Sequence, residues 1–205
     1  TITLSHEGNG SWYPWGMCYG DNTPETLVKS IDHLVNIFSK NGARKYIKLI
    51  FNVNRKGCDG LFKNGKLYMP RINNLIDGFS ISTYNRCGTS SKYKTEKSFK
   101  EDFDPAYNAI KKYTNKEINV AETSTTSNCG NKISWMNSLF NSLDEYQQLK
   151  YVNFFFGDVE VGFASNNNPN HSMNDWVVLT VKKSSGDFSV IEPLNPQNKK
   201  ENING

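Results

Sequence analysis

Two hydrophobic periods alternate along this chain, and the switches between them mark its elements. Ile2 and Leu4, set among β-branched Thr1 and Thr3, read as a short buried strand. Thr23-Pro24 starts a helix, with Thr as N-cap and Pro in the first turn. Leu27, Ile31, Leu34, Val35 and Phe38 follow at helical spacing until Asn41-Gly42. The pattern then predicts a strand over residues 46–54, a loop through Cys58 and Tyr68-Met69-Pro70, and a strand over 79–84. A helix over 98–113 carries Phe99, Phe103, Tyr107 and Ile110 on one face. A short strand over 118–123 and a helix over 132–149 come next, the helix with Trp135, Leu139, Phe140 and Leu143 inward. Residues 151–156 form the last clear strand, before an Asn-rich loop, Asp175-Trp176 and a weakly patterned end. Strands and helices alternating at roughly 30–40-residue intervals imply parallel βαβ units.

The strand ends carry the polar chemistry. Glu7 follows the first strand, between His6 and a Gly8-Asn9-Gly10 turn. Trp12, Tyr13 and Trp15 come too soon after it for another strand, because Pro14 and two glycines break the run. A second acid, Glu122, ends the strand over 118–123, and Asn52, Asn54 and Tyr84 lie at the ends of the strands between. In a parallel barrel the catalytic groups sit at the carboxyl ends of the strands. A Glu at a strand tip beside flat rings suits a sugar-cleaving site, where one carboxyl moves protons and aromatic faces stack on pyranose rings.

Composition removes other classes. The 205 residues suggest one domain, with 37% hydrophobic and 13% aromatic residues to build a core. A net charge of +4, scattered along the chain, gives no nucleic-acid footprint. No apolar run approaches the roughly 20 residues of a membrane span. His6, His33 and His171 are isolated and the four cysteines form no Cys-x-x-Cys pair, so neither metal nor cofactor is expected. An even cysteine count, with sequons at Asn9-Gly10-Ser11 and Asn170-His171-Ser172, leans towards a secreted, disulfide-bonded protein. The Lys-rich end reads as a polar tail over 191–205, leaving 1–190 as the domain.

The run from His6 to Gly16, His-Glu-Gly-Asn-Gly-Ser-Trp-Tyr-Pro-Trp-Gly, resembles the signature of glycoside hydrolase family 26. Weaker matches follow in the family's order: Gly42-Ala43, Gly78 to Asn85, Val120 to Thr123, Lys132 to Met136, Phe154 to Phe156, and Asp175-Trp176. The resemblance implies an α/β fold, a (β/α)8 TIM barrel of which this chain supplies roughly strands 4 to 8. It implies retaining hydrolysis of a β-1,4-linked polysaccharide, β-mannan first, with mixed-linkage glucan or xylan as further members' substrates. Glu7 would be the acid/base at the end of strand 4 and Glu122 the nucleophile at the end of strand 7. Trp176 would be a subsite wall. One departure is Thr3, where the family usually carries Arg. The rival reading is a non-catalytic carbohydrate-binding or structural surface module derived from the same barrel.

Further expectations attach to named residues. Trp12 and Trp15 are candidate sugar platforms, at least one of them core, and their packing would desolvate Glu7. Tyr84 would donate a hydrogen bond to Glu122, His6 would orient Glu7 or a substrate hydroxyl, and Asn54 would bind substrate. Bridges need Cα atoms within about 7 Å, and neighbouring strand loops meet that, so Cys18–Cys58 and Cys87–Cys129 are the expected pairs. A barrel typically takes around 250 residues. The strands at Ile2–Leu4 and 151–156 should therefore each leave an open edge, exposing Ile2, Leu4 and residues 154–156. The remaining strands would come from upstream in the same polypeptide or from another chain, and residues 1–205 alone are expected not to form a soluble active monomer.

Overall fold

The computed structural model describes residues 1–60, 62–89, 91–126 and 131–155, and the backbone of 178–184 and 187–194. Five strands run parallel in chain order: β1 (Ile2–Leu4), β2 (Leu49–Asn54), β3 (Gly78–Asn85), β4 (Glu117–Thr125) and β5 (Tyr151–Phe154). One helix follows each of the first four: α1 (Pro24–Lys40), α2 (Gly65–Leu75), α3 (Phe99–Lys111) and α4 (Lys132–Ser142). This is the α/β alternation that the hydrophobic pattern predicts. Beyond it, β6 (Val178–Ser184) and β7 (Asp187–Leu194) form an antiparallel hairpin, and β6 pairs antiparallel with β5. The seven-stranded sheet is open, with β1 at one edge and β7 at the other.

The hairpin changes two expectations. The edge of β5, expected to be open, is covered by β6. The strand β7 runs to Leu194, past residue 191 where a polar tail was expected to begin. Leu4 and Phe154 are also buried, because the helices and neighbouring strands cover them; of the expected exposed layer only Ile2 stands out in the open. Phe156 lies outside the described residues.

The sheet has two unlike faces. Parallel neighbours in register point their side chains to the same side. Leu4, Phe51, Phe79 and their column neighbours Leu49, Val53, Ile81, Ile118 and Val120 all belong to the apolar core. They face α1 to α4. On the opposite side stand Asn52, Ser80, Ser82 and Asn119, all fully buried. A sheet covered on only one side would leave these in water. They are buried against their neighbours, Asn52 bonded to Ser80 and Ser82, and Asn119 to the backbone of Lys150 and Tyr151.

Local chemistry explains the helices. Thr23 accepts a bond from the Thr26 amide, while the Thr26 hydroxyl accepts from the Thr23 amide, and Pro24 follows in the first turn. Ser98 and Glu101 make the same reciprocal cap at α3. Leu34, expected inward on α1, is exposed, and Leu27, Val28 and Ile31 carry the burial instead. The helix α2 stands where the sequence reads as a loop. Gly65 opens it and Pro70 interrupts its amide ladder, two residues that argue against a helix in sequence. Burying Tyr68, Met69 and Ile72 outweighs them. Behind β3 and β4, Phe99, Phe103, Tyr107 and Tyr146 form an aromatic cluster, with Phe103 stacked on Phe99 at 4.8 Å and edge-on to Tyr146 at 5.0 Å.

Phe103 is the centre of that cluster and has no exposure. Phe103→Ala should cost about 3–5 kcal/mol of stability, read from the urea midpoint of the folded protein. A loss within about 0.5 kcal/mol of zero would mean that the cluster does not hold α3 to the sheet.

Candidate active site

The polar ends of the strands open into a cleft of about 700 Å³, lined among others by His6, Glu7, Trp12, Tyr13, Asn54, Tyr84, Glu122 and Phe155. All but Tyr13 and Phe155 are candidates from the sequence. Trp176 lies outside the described residues.

Glu7 is reached through a strained turn. Ser5 and Glu7 both hold positive φ, 51° and 47°. A left-handed backbone costs a non-glycine residue roughly 1–3 kcal/mol and persists only where the surroundings determine it. Those surroundings are specific. The Glu7 amide donates to Asn52 Oδ1 at 2.8 Å. Asn52 is itself held from below, its Nδ2 donating towards Ser80 and Ser82 on β3. The Glu7 carboxylate, 8% exposed as a residue, accepts from Trp12 Nε1 at 2.6 Å and from Asn54 Nδ2 at 2.7 Å.

A bulge in β4 delivers the second carboxylate. Ser80 pairs with Asn119 and Ile81 with Val120, but Ser82 pairs with Glu122, so Ala121 is an extra residue. Without it Ala121 would oppose Ser82, and Glu122 would oppose Thr83 and turn to the helix side. The bulge places Glu122 on the polar face. There its Oε2 accepts from the Tyr84 hydroxyl at 2.6 Å, and His6 Nε2 stands 3.7 Å from Oε1. Tyr84 thus meets its expected partner. His6, expected to orient Glu7 or a substrate hydroxyl, approaches Glu122.

The two carboxylates share one space. Burial first, then the Glu122 charge and beyond it the Glu7 charge, hold the Tyr84 phenol well above its ordinary range. The Tyr13 hydroxyl is also raised, by burial first and then by both glutamates. Tyr84 therefore stays a proton donor at any working pH.

The tryptophans differ from expectation. Trp12 and Trp15 are each 46% exposed, so neither is core. Trp12 meets Glu7 through its indole N–H rather than by covering it with its face. Trp15 donates to the His6 carbonyl at 2.7 Å and stacks on Tyr13 at 4.8 Å. Tyr13 in turn meets His6 edge to face. The short spacing of the loop forces this stack, and three rings within four residues were its signal in the sequence.

A clamp joins the loops after β1 and β2. Asn9 is fully buried, and its amide spans the Asn54 backbone: Asn54 N donates to Asn9 Oδ1 at 2.7 Å and Asn9 Nδ2 donates to Asn54 O at 2.9 Å. The Asn9 sequon is therefore structural, with its amide occupied. Cys58 N donates to Asn9 O, and the Cys18–Cys58 disulfide closes the same loops. Its loop of 40 residues in sequence separation contributes up to about 4 kcal/mol by restricting the unfolded chain. Gly57, at φ +59°, is required here, since a Cβ would lie 2.4 Å from Asn9 Nδ2. Cys87 is also disulfide-bonded. Its expected partner Cys129 lies outside the described residues. Among the described residues no His, Cys, Asp and Glu cluster could hold a metal ion.

No protein-family model matches the chain. Over 169 residues, 80% of its length, the chain is 36% identical to Endoglucanase H of Acetivibrio thermocellus, and it spans 18% of that protein. A crystal structure of an endo-laminarinase from Formosa Hel1_33_131 aligns with 60% of the chain and 36% of its own, at 17% identity and a TM-score of 0.37.

Asn9→Ala would strip both partners from the Asn54 backbone and should cost about 2–4 kcal/mol, measured by urea denaturation. An unchanged midpoint would show that water replaces the amide fully and that the clamp does not hold Asn54 beneath Glu7.

Proposed function

We propose that the chain carries the two catalytic carboxylates of a secreted, retaining glycosidase that cuts β-linked polysaccharide. The observation that carries this is that Glu7 and Glu122, from the tips of β1 and β4, line one cleft, Glu122 held by Tyr84 and Glu7 by Trp12 and Asn54. Similarity to a protein named Endoglucanase H supports glycan hydrolysis in general. The Cys18–Cys58 disulfide supports secretion.

In this reading Glu122 attacks the anomeric carbon while Glu7 gives its proton to the leaving oxygen. The glycosidic C–O bond breaks and a glycosyl ester forms on Glu122. Water then attacks the same carbon, Glu7 takes its proton, and Glu122 leaves as carboxylate. Retention asks for carboxyl groups about 5–5.5 Å apart. Tyr84 fixes Glu122 through Oε2, which leaves Oε1 for attack. Trp12 and Asn54 each donate to one oxygen of Glu7 and set its direction. Trp12, half-exposed in the lining of the cleft, offers stacking surface for a sugar, whereas Trp15 lies outside that lining, stacked on Tyr13.

The signature around His6 favours a β-mannan backbone. The relative's name favours a glucan backbone. The five parallel strands would be part of a (β/α)8 barrel, with further βα units of the same polypeptide added at the open edge of β1. The antiparallel hairpin on β5 would then have to move or lie beside the closing strand.

In the complete protein Glu122→Ala should abolish release of reducing ends from glucomannan and from an activated aryl glycoside. Glu7→Ala should lose about 10²–10⁴-fold on the polysaccharide but keep turnover on the aryl glycoside, which azide accelerates by attacking the glycosyl-enzyme. Full activity of Glu122→Ala sinks the assignment, and a wild-type protein that binds glycan without cutting it returns the non-catalytic module.

A further inference from the structure

A second cavity of about 510 Å³ adjoins the carboxylate cleft. The two share Arg55, Lys56, Arg86 and Tyr93 in their linings. Lys92, Lys94 and Lys97 complete a lining with six cations. Two acids, Glu101 and Asp102, stand among them.

Both acids already have partners. Asp102 is 4% exposed and is shared by Arg55 and by Lys97 at 3.6 Å. The Glu101 carboxylate caps α3, accepting from the Ser98 amide at 2.8 Å. Two cations therefore share one carboxylate. Lys56 and Lys94 make no ion pair among the described residues. Arg86 lines both cavities, its guanidinium 4.6 Å over the Tyr93 ring and donating to the Tyr93 hydroxyl at 3.2 Å. Stacking fixes the plane of the guanidinium. A glycan made only of neutral sugars has no charge to set against Lys56 and Lys94.

We propose that this cavity is an anion subsite, binding a carboxylated or sulfated sugar unit of the same glycan whose neighbouring unit lies between Glu7 and Glu122. The inference rests on the glycosidase reading and deepens it: the substrate is an acidic or acid-substituted β-glycan. Surface charge is screened beyond about 8 Å at physiological salt. The cations therefore act on a group seated in the cavity, and not on any polyanion at a distance.

The test is affinity electrophoresis of the full-length protein in gels holding one polymer each. Hydroxyethylcellulose and galactomannan are neutral, carboxymethylcellulose carries carboxylate, cellulose sulfate carries sulfate, and polyglutamate is a polyanion without sugar. The double variant Lys92→Glu/Lys94→Glu changes exposed side chains outside the carboxylate cleft. Lys40→Glu/Lys45→Glu, exposed on and after α1, makes the same charge change elsewhere. One or both charged celluloses should bind the unaltered protein about tenfold more tightly than the neutral polymers, and the Lys92/Lys94 variant should lose that gain while the Lys40/Lys45 variant keeps it. Preference for one charged polymer assigns carboxylate or sulfate. Equal binding of neutral and charged celluloses, equal loss in both variants, or equal retardation by polyglutamate overturns the subsite. Failure of the glycosidase reading appears separately, as no reducing ends from any of these glycans with the unaltered protein.

Discussion

One inserted residue in β4 governs what the cleft can do. The apolar side of the sheet must face α1 to α4, and this fixes the direction of Ile118 and Val120. With strict alternation the next side chains would follow that direction, and Glu122 would enter the helix layer. A carboxylate buried there without partners would be costly to ionise. Ala121 takes up one position outside the pairing and reverses the alternation. Everything else about Glu122, including its bond from Tyr84 and its approach to His6, follows from that offset.

Glu7 reaches the same space by a different device. Its strand is only three residues long and lies at the sheet edge, too short to orient a side chain by pairing alone. The chain instead turns through two left-handed residues and is held by asparagine side chains. Asn52 takes the backbone amide of Glu7, Asn54 takes its carboxylate, and Asn9 takes the backbone of Asn54. The disulfide and Gly57 close this arrangement from outside. The strain of the turn is offset by a buried polar lattice, and the carboxylate gains a fixed direction with both oxygens already bonded.

The electrostatics divide the groove in two. The half around Glu7 and Glu122 is acidic and aromatic, and its phenols keep their protons. The half beyond Arg86 and Tyr93 is basic.

Much of this was legible beforehand where local rules and burial agree. The period of Leu27, Ile31 and Phe38 with the Thr23-Pro24 cap specifies α1, and the Phe99 to Ile110 stripe specifies α3, because each buries one face and ends in its own cap. The alternation of these helices with β-branched runs fixes parallel units. Glu7, Glu122, Tyr84 and Cys18–Cys58 follow from strand-end position, which a sequence shows directly. The helix α2 was not legible, since Gly65 and Pro70 oppose it locally and only packing overrides them. The turn of His6 towards Glu122 and the burial of Asn9 depend on left-handed residues and on partners 45 or more positions away. The bulge at Ala121 depends on β3, because register exists only between strands. Sequence thus determined which groups stand at the strand tips, by periodicity and capping. Tertiary structure alone decided which way each one points, because direction is set by partners distant along the chain.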